Sequence, residues 1–221
     1  ANVLGDYLVA LALVGRRGDV EKLLEGHGSL LDEYMDRQAN VTTRLTLKYL
    51  GMDVEEPSSE EMLCAIWGDL RPEFRPAMEE ILDTCIPVES VLLCEDVKDG
   101  VLCFVAYAAV NGDKEAEESV RRFIVSELSK NGVPRELLNK ANIKQLIEVY
   151  APRTSIGPFI LLLRALVSGD RNLAILHAEV ARALLGQEFL GKLFGELADA
   201  LRNNDEDGVR RAVAKLYYYH F

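Results

Sequence analysis

Residues that usually carry chemistry are scarce in this chain of 221 residues. Its three histidines, His27, His177 and His220, lie far apart, with no obvious nucleophilic Cys or Ser beside them. The four cysteines (Cys64, Cys85, Cys94 and Cys103) include no CxxC pair. A zinc site or a thioredoxin-like motif is therefore unsupported. The phosphate loop GxxxxGK[ST] is missing, as are GxGxxG, GxSxG and HExxH. So is the Glu-x-x-His pair of helix-bundle di-iron sites. Carboxylate pairs outside any motif, such as Glu79 with Asp83 and Asp32 with Asp36, read as solvated faces. The sequence thus points away from an enzyme, and it implies no cofactor and no metal.

Long apolar runs are missing too. The longest, Phe159 to Leu163 and Val101 to Val110, fall short of the roughly 20 residues that a membrane helix needs. The first residues carry Asp6 and no basic lead-in, so no signal peptide is read and a cytoplasmic protein with no membrane contact is expected. Positive charge is in short supply. Residues 1–110 hold 9 Lys/Arg against 21 Asp/Glu, a net of −12, while residues 111–221 hold 16 against 15, a net of +1. An acidic surface repels phosphate backbones and disfavours general nucleic-acid binding, while it keeps a protein soluble or suits a basic partner. Glutamine is rare, with three residues, and Arg outnumbers Lys, a bias found in thermophiles.

What the sequence does have is a repeated phrase. An apolar helix-like run ends in Gly-Asp and an amphipathic run follows at once, at Gly18-Asp19, Gly68-Asp69, Gly112-Asp113 and Gly169-Asp170, with a degenerate version at Asn204-Asp205. Glycine suits the left-handed residue that closes a helix, and aspartate suits the N-cap of the next. The phrase predicts an all-α protein: an irregular stack of antiparallel helical hairpins with about ten helices. Tetratricopeptide, ankyrin and HEAT arrays have tighter periods and consensus residues of their own, which this chain does not show.

Periodicity places a first helix over about 2–14, apolar nearly all round and so buried on several sides or set in an interface. A short helix after Gly18-Asp19 is broken by Gly26 and Gly28, and Ser29 caps a third that runs to about Leu50. Residues 53–59 read as a linker, with Ser58 or Ser59 capping the helix beyond it. A single helical domain over 1–221 is expected, with subdivision into 1–52 and 58–221 as the alternative. Residues 88–110 support two readings. Lys98-Asp99-Gly100 between apolar runs is a hairpin signal, which gives a β-hairpin at 90–107; repetition of the Gly-Asp phrase favours helix, break and helix. Cys94 and Cys103 sit symmetrically about Lys98-Asp99, either facing across a turn or serving as small buried hydrophobes. One helix runs from Pro134 to Tyr150, and another opens at Pro158. Apolar stripes include Phe123 with Val120, Leu184 with Val180, and Phe189 with Leu193.

Three features are candidates for function. His177 lies within an apolar stripe, as a switch at a packing seam or as a core-edge histidine with one hydrogen bond. The loop Arg153-Thr154-Ser155-Ile156-Gly157-Pro158 precedes a helix and is either an anion site or an ordinary capped connection. The last helix joins Arg210, Arg211 and Lys215 to Tyr217, Tyr218, Tyr219, His220 and Phe221. Consecutive helical residues are about 100° apart, so these aromatics cannot all face inward, and some are exposed or sit in an interface. The leading expectation is a protein-interaction or scaffold module that binds a protein partner or itself. The alternatives are a nucleic-acid-associated subunit using the C-terminal basic-aromatic helix and a small-molecule-binding helical protein.

Overall fold

A computed structural model describes residues 2–84 and 100–221; for 27–30 and 32–34 it gives the backbone alone. The described residues form an all-α fold, with 78% of them helical. Thirteen α-helices lie among the described residues: α1 (Val3–Leu13), α2 (Arg17–Tyr34), α3 (Arg37–Tyr49), α4 (Ser59–Ile66), α5 (Arg75–Ile81), α6 (Gly100–Val110), α7 (Lys114–Lys130), α8 (Arg135–Lys140), α9 (Ile143–Tyr150), α10 (Ile156–Val167), α11 (Arg171–Leu185), α12 (Phe189–Arg202) and α13 (Glu206–His220). Neighbours in sequence pack together through the C-terminal half, so α12 lies against both α11 and α13. Contacts remote in sequence fix the rest: α3 packs on α10 and α13, and α9 on α5, α7 and α11. One buried apolar cluster runs from Leu8 in α1 to Tyr217 in α13.

The Gly-Asp phrase works as read at three of its five places. Asp113, Asp170 and Asp205 are N-caps whose carboxylates accept from the backbone N–H of Ala116, Leu173 and Gly208. The residues before them, Gly112, Gly169 and Asn204, have positive φ. It fails at Gly18-Asp19, which lies in the first turn of α2; the chain breaks earlier, at Gly15, with φ +79°. It fails differently at Gly68-Asp69, where Asp69 ends a 3-10 turn and is buried.

Other boundaries also move. Gly26 and Gly28 do not break α2, and no helix begins after Ser29, because α2 continues to Tyr34; Asp36 caps α3 instead, accepting from Ala39 N–H at 2.9 Å. The helix expected over 134–150 is two helices, α8 and α9, because Asn142 and Gln145 form a capping box that starts a new one. Helix α10 begins at Ile156, two residues before Pro158. Three residues assigned to inward stripes, Phe123, Leu184 and Phe189, are partly exposed. Residues 100–110 are helical, which excludes a β-hairpin over 90–107; Cys94, and with it the Cys94–Cys103 reading, lies outside the described residues, as does Cys85. Cys103 is buried in α6.

The linker 53–58 is held from α3, where Lys48 Nζ donates to the Val54 carbonyl at 3.2 Å. Arg44 in α3, only 8% exposed, donates through Nε to the Glu55 carbonyl at 3.0 Å and through Nη2 to that of Glu56 at 3.3 Å, and its Nη1 pairs with Glu61 at 2.8 Å. Ser58 and Glu61 form the capping box of α4. Burial would raise the Glu61 pKa, but the Ser58 N–H and the Arg44 guanidinium outweigh it and hold that carboxyl below its ordinary value.

Candidate interaction surface

The C-terminal helix divides its basic and aromatic residues among three environments. Val209, Ala212, Val213, Leu216 and Tyr217 recur at helical spacing and face the core. Tyr217 is fully buried, with its hydroxyl 2.8 Å from Thr43 Oγ1 in α3 and 3.0 Å from Asn2 Nδ2, the donor there. Asn2 Oδ1 in turn caps α1 by accepting from Gly5 N–H. Burial above all pushes the Tyr217 phenol well above its ordinary pKa. Tyr217 is therefore an anchor of α1 and not a contact residue.

His220 and Phe221 are half-buried. The His220 ring stacks on Phe159 at 5.4 Å, Nδ1–H donates to the Leu216 carbonyl at 2.7 Å, and Nε2 accepts from the Ser155 hydroxyl at 2.9 Å. Burial lowers the His220 pKa, against the Leu216 hydrogen bond that raises it. Such a pairing of hydroxyl and imidazole is one part of a nucleophilic site. A developing oxyanion also needs donors, yet the N–H groups of Thr154 and Gly157 already serve the Asp69 carboxylate at 2.7 and 2.9 Å. Nothing local signalled the Ser155–His220 contact, since the two are 65 residues apart.

The three cations are engaged or flanked by acid. Lys215 pairs with Glu196 at 2.7 Å and Arg211 with Asp205 at 3.8 Å. Arg210 is half-buried, and Glu206 and Asp207 lie in the first turn of the same helix. Only Tyr218 and Tyr219 of the tail present much ring surface to solvent. The Tyr218 hydroxyl donates to the Asp6 carbonyl of α1 at 3.1 Å, and Tyr219 packs on the exposed ring of Phe189 at 5.6 Å.

That bond leads to α1, the helix read from its sequence as either buried on several sides or set in an interface. Helix α1 turns Gly5, Leu8, Val9, Leu11 and Ala12 inward, and the residues left outside are Val3, Tyr7, Ala10 and Val14. Val3 is 71% exposed, Tyr7 53% and Val14 72%. An outer face would ordinarily be polar, whereas this one carries no charged residue. The signal was in the composition of the helix, which has Asp6 as its only charge; what needed the fold was which side remained uncovered.

The other two candidates resolve as structural. Asp69 Oδ1 accepts from Arg153 and Thr154 N–H, and Oδ2 from Gly157 N–H, so the anion held at the start of α10 is a side chain of the protein itself. His177 is buried, with Nε2 3.0 Å from Glu148 Oε1, an oxygen that also lies 3.4 Å from Arg164 Nη1. Its Nδ1 has no partner. A proton on Nε2 suits this setting, since it donates to Glu148 whereas a proton on Nδ1 would be buried without an acceptor. A polar cleft of about 620 Å³ between α11 and α12 includes Glu179, Arg182, Lys192, Asp199 and Arg202. Its charges largely offset one another: Arg202 is 2.6 Å from Glu179, and Arg182 is 3.9 Å from both Glu179 and Asp199.

No family model, curated protein or solved structure matches the chain. Among the described residues, no helix is long and apolar enough to cross a membrane.

Proposed function

We propose that the protein is a non-enzymatic interaction module that binds another protein surface through the outer face of α1 and the neighbouring Tyr218. The observation that carries this reading is the apolar row of Val3, Tyr7 and Ala10 on the solvent side of α1 with Val14 at its C-cap. Contiguous apolar surface on a soluble protein is costly to leave wet and marks interaction sites. Support also comes from the tail, whose Tyr217 braces α1 from beneath, so the face is carried on a fixed helix. The ion pairs of Arg211 and Lys215 leave little unbalanced positive charge for a nucleic-acid backbone.

The test is affinity purification at moderate salt from the native host, with the original chain and with Tyr7→Glu and Val14→Glu. A protein partner lost in both variants, with helix content unchanged, is the expected result. Partners retained by both variants would refute the assignment. Co-purified nucleic acid, nuclease-sensitive and lost in Arg210→Ala/Arg211→Ala, would replace it with the nucleic-acid reading.

A further inference from the structure

Two exposed turns carry the same latent chemistry. Of the chain's asparagines, only Asn111 and Asn131 precede a glycine. An asparagine in that setting can modify itself. The glycine amide nitrogen attacks the side-chain Cγ, its proton goes to the departing amide group, and ammonia leaves as a succinimide ring closes. Water then opens the ring at one of its two carbonyls and gives aspartate or isoaspartate. Glycine permits the attack because no Cβ crowds its nitrogen.

Asn111 and Gly112 join α6 to α7, and Asn131 and Gly132 join α7 to α8, so α7 has one such pair at each end. All four residues are exposed, and burial does not shield them. Hydrogen bonds do, in the same pattern twice. Asn111 Nδ2 donates to the Tyr107 carbonyl at 2.9 Å, and Asn131 Nδ2 to the Glu127 carbonyl at 2.8 Å. A carbonyl only accepts, so the amide nitrogen is the atom that faces it. Each side chain is thereby turned back toward the preceding helical turn, away from the glycine that follows. The attacking nitrogens are engaged as well: Gly112 N–H donates to the Ala109 carbonyl at 3.3 Å and Gly132 N–H to that of Ser129 at 3.1 Å. Asp113 N–H reaches the Ala108 carbonyl, and Val133 N–H that of Leu128, both at 3.1 Å. With glycine φ of +95° and +92°, these bonds make the same left-handed closure at the end of α6 and of α7.

We propose that Asn111 and Asn131 are self-modification sites kept shut by the closing turns of α6 and α7, and that each converts to aspartate and isoaspartate through local opening of its own turn. Helix ends open without the rest of the molecule. The product keeps the turn open. A carboxylate cannot donate to the carbonyl that held the amide, and it sits at the negative end of a helix dipole. Isoaspartate also lengthens the backbone by one methylene just before the left-handed glycine. Each conversion adds one negative charge to a chain that already carries −11.

The full chain is incubated at mildly alkaline pH, folded in buffer and unfolded in guanidinium chloride, and conversion at each site is followed by peptide mass spectrometry. Two hydrogen bonds must part before attack, so each site should convert at least about fivefold more slowly in the folded chain. Asp113→Ala removes the N-cap of α7 beside the first site, and Val133→Ala trims the buried residue beside the second. Each should raise the folded-to-unfolded rate ratio at its own site at least about twofold and leave the other site unchanged, with far-UV circular dichroism confirming the fold. Equal rates in the folded and unfolded chain at either site overturn the proposal. So does a folded variant that changes neither ratio, or one that raises both alike. Hydrogen exchange of the Gly112 and Gly132 amides in the original chain needs no variant: the amide that exchanges faster should mark the site that converts faster relative to its unfolded rate, and the reverse order overturns the proposal.

Discussion

Replacing Tyr217 by phenylalanine asks whether the tail is a brace or a contact surface. The ring would stay in its pocket and only the hydroxyl would go. That hydroxyl bonds to Thr43 at 2.8 Å and to Asn2 at 3.0 Å. Each such bond has a net worth of about 1 kcal/mol. Asn2 is partly exposed and can turn to water, and the fully buried Thr43 hydroxyl can bond back to its own helix, so the loss should be about 1–2 kcal/mol. For a chain of this length that corresponds to a fall in Tm of about 2–8 °C. Urea unfolding should show the same loss with an unchanged m-value, since no further surface is exposed. A double-mutant cycle with Thr43→Val should give a coupling energy of about 0.5–1.5 kcal/mol. Tyr219→Phe, on the exposed side of the same helix, should stay within about 0.5 kcal/mol of the original. A Tyr217→Phe chain as stable as the original, or strict additivity with Thr43→Val, would refute the reasoning and return Tyr217 to the candidates for partner contact.

Asp69→Ala strips the acceptor from the N–H groups of Thr154 and Gly157, while Arg153 N–H keeps the Asp69 backbone carbonyl, and should destabilise by about 2–4 kcal/mol in chemical denaturation, with Asp69→Asn intermediate; a loss under about 0.5 kcal/mol would contradict the capping role. Arg44→Ala should cost a comparable amount, read as a lowered urea midpoint, because it leaves the Glu55 and Glu56 carbonyls unpaired. His177→Phe should cost about 3–5 kcal/mol by the same measurement, since it leaves the Glu148 carboxylate buried with Arg164 as its remaining partner at 3.4 Å. The lowered pKa of His220 has a definite sign: the unfolded chain binds the proton more readily, so this stability is present above the ordinary histidine pKa and is lost as pH falls through the lower, folded-state value. Unfolding midpoints measured from pH 7 down to pH 5 should therefore decline more steeply for the original chain than for His220→Gln, and parallel curves would count against it.

Local signals were legible in the sequence and long-range ones were not. Asp113, Asp170 and Asp205 could be read as caps because an N-cap and the amide it serves are three residues apart. The same phrase misled at Asp69, whose partners lie 84 to 88 residues further along. Glycines 26 and 28 suggested a break that α2 does not make; a glycine in a helix costs about 1 kcal/mol relative to alanine, which the rest of the helix can absorb. The aromatic tail was half legible. Helical geometry required that some rings face out, and Tyr218 and Tyr219 do, but nothing local showed that the hydroxyl of Tyr217 would reach Asn2 across 215 positions. The uncharged character of α1 was plain, while the choice between a buried helix and an interface depended on which neighbours the fold supplied.

The Asp69 clip also ties the start of α10 to a segment remote in sequence. Around it, Arg71 N–H donates to the Ala151 carbonyl, Arg71 Nη1 to the carbonyls of Tyr150 and Pro152, and Arg153 N–H to the Asp69 carbonyl. The amides at the start of α10 thus find their acceptor only when about eighty residues of chain are closed into a loop, which carries an entropic cost. Until then α10 is a helix with an unfinished end. Once the clip forms, the amides of Arg153, Thr154 and Gly157 can be released only by separating residues 67–72 from 150–157, so their hydrogen exchange reports on the parting of those two segments and not on fraying of a single helix.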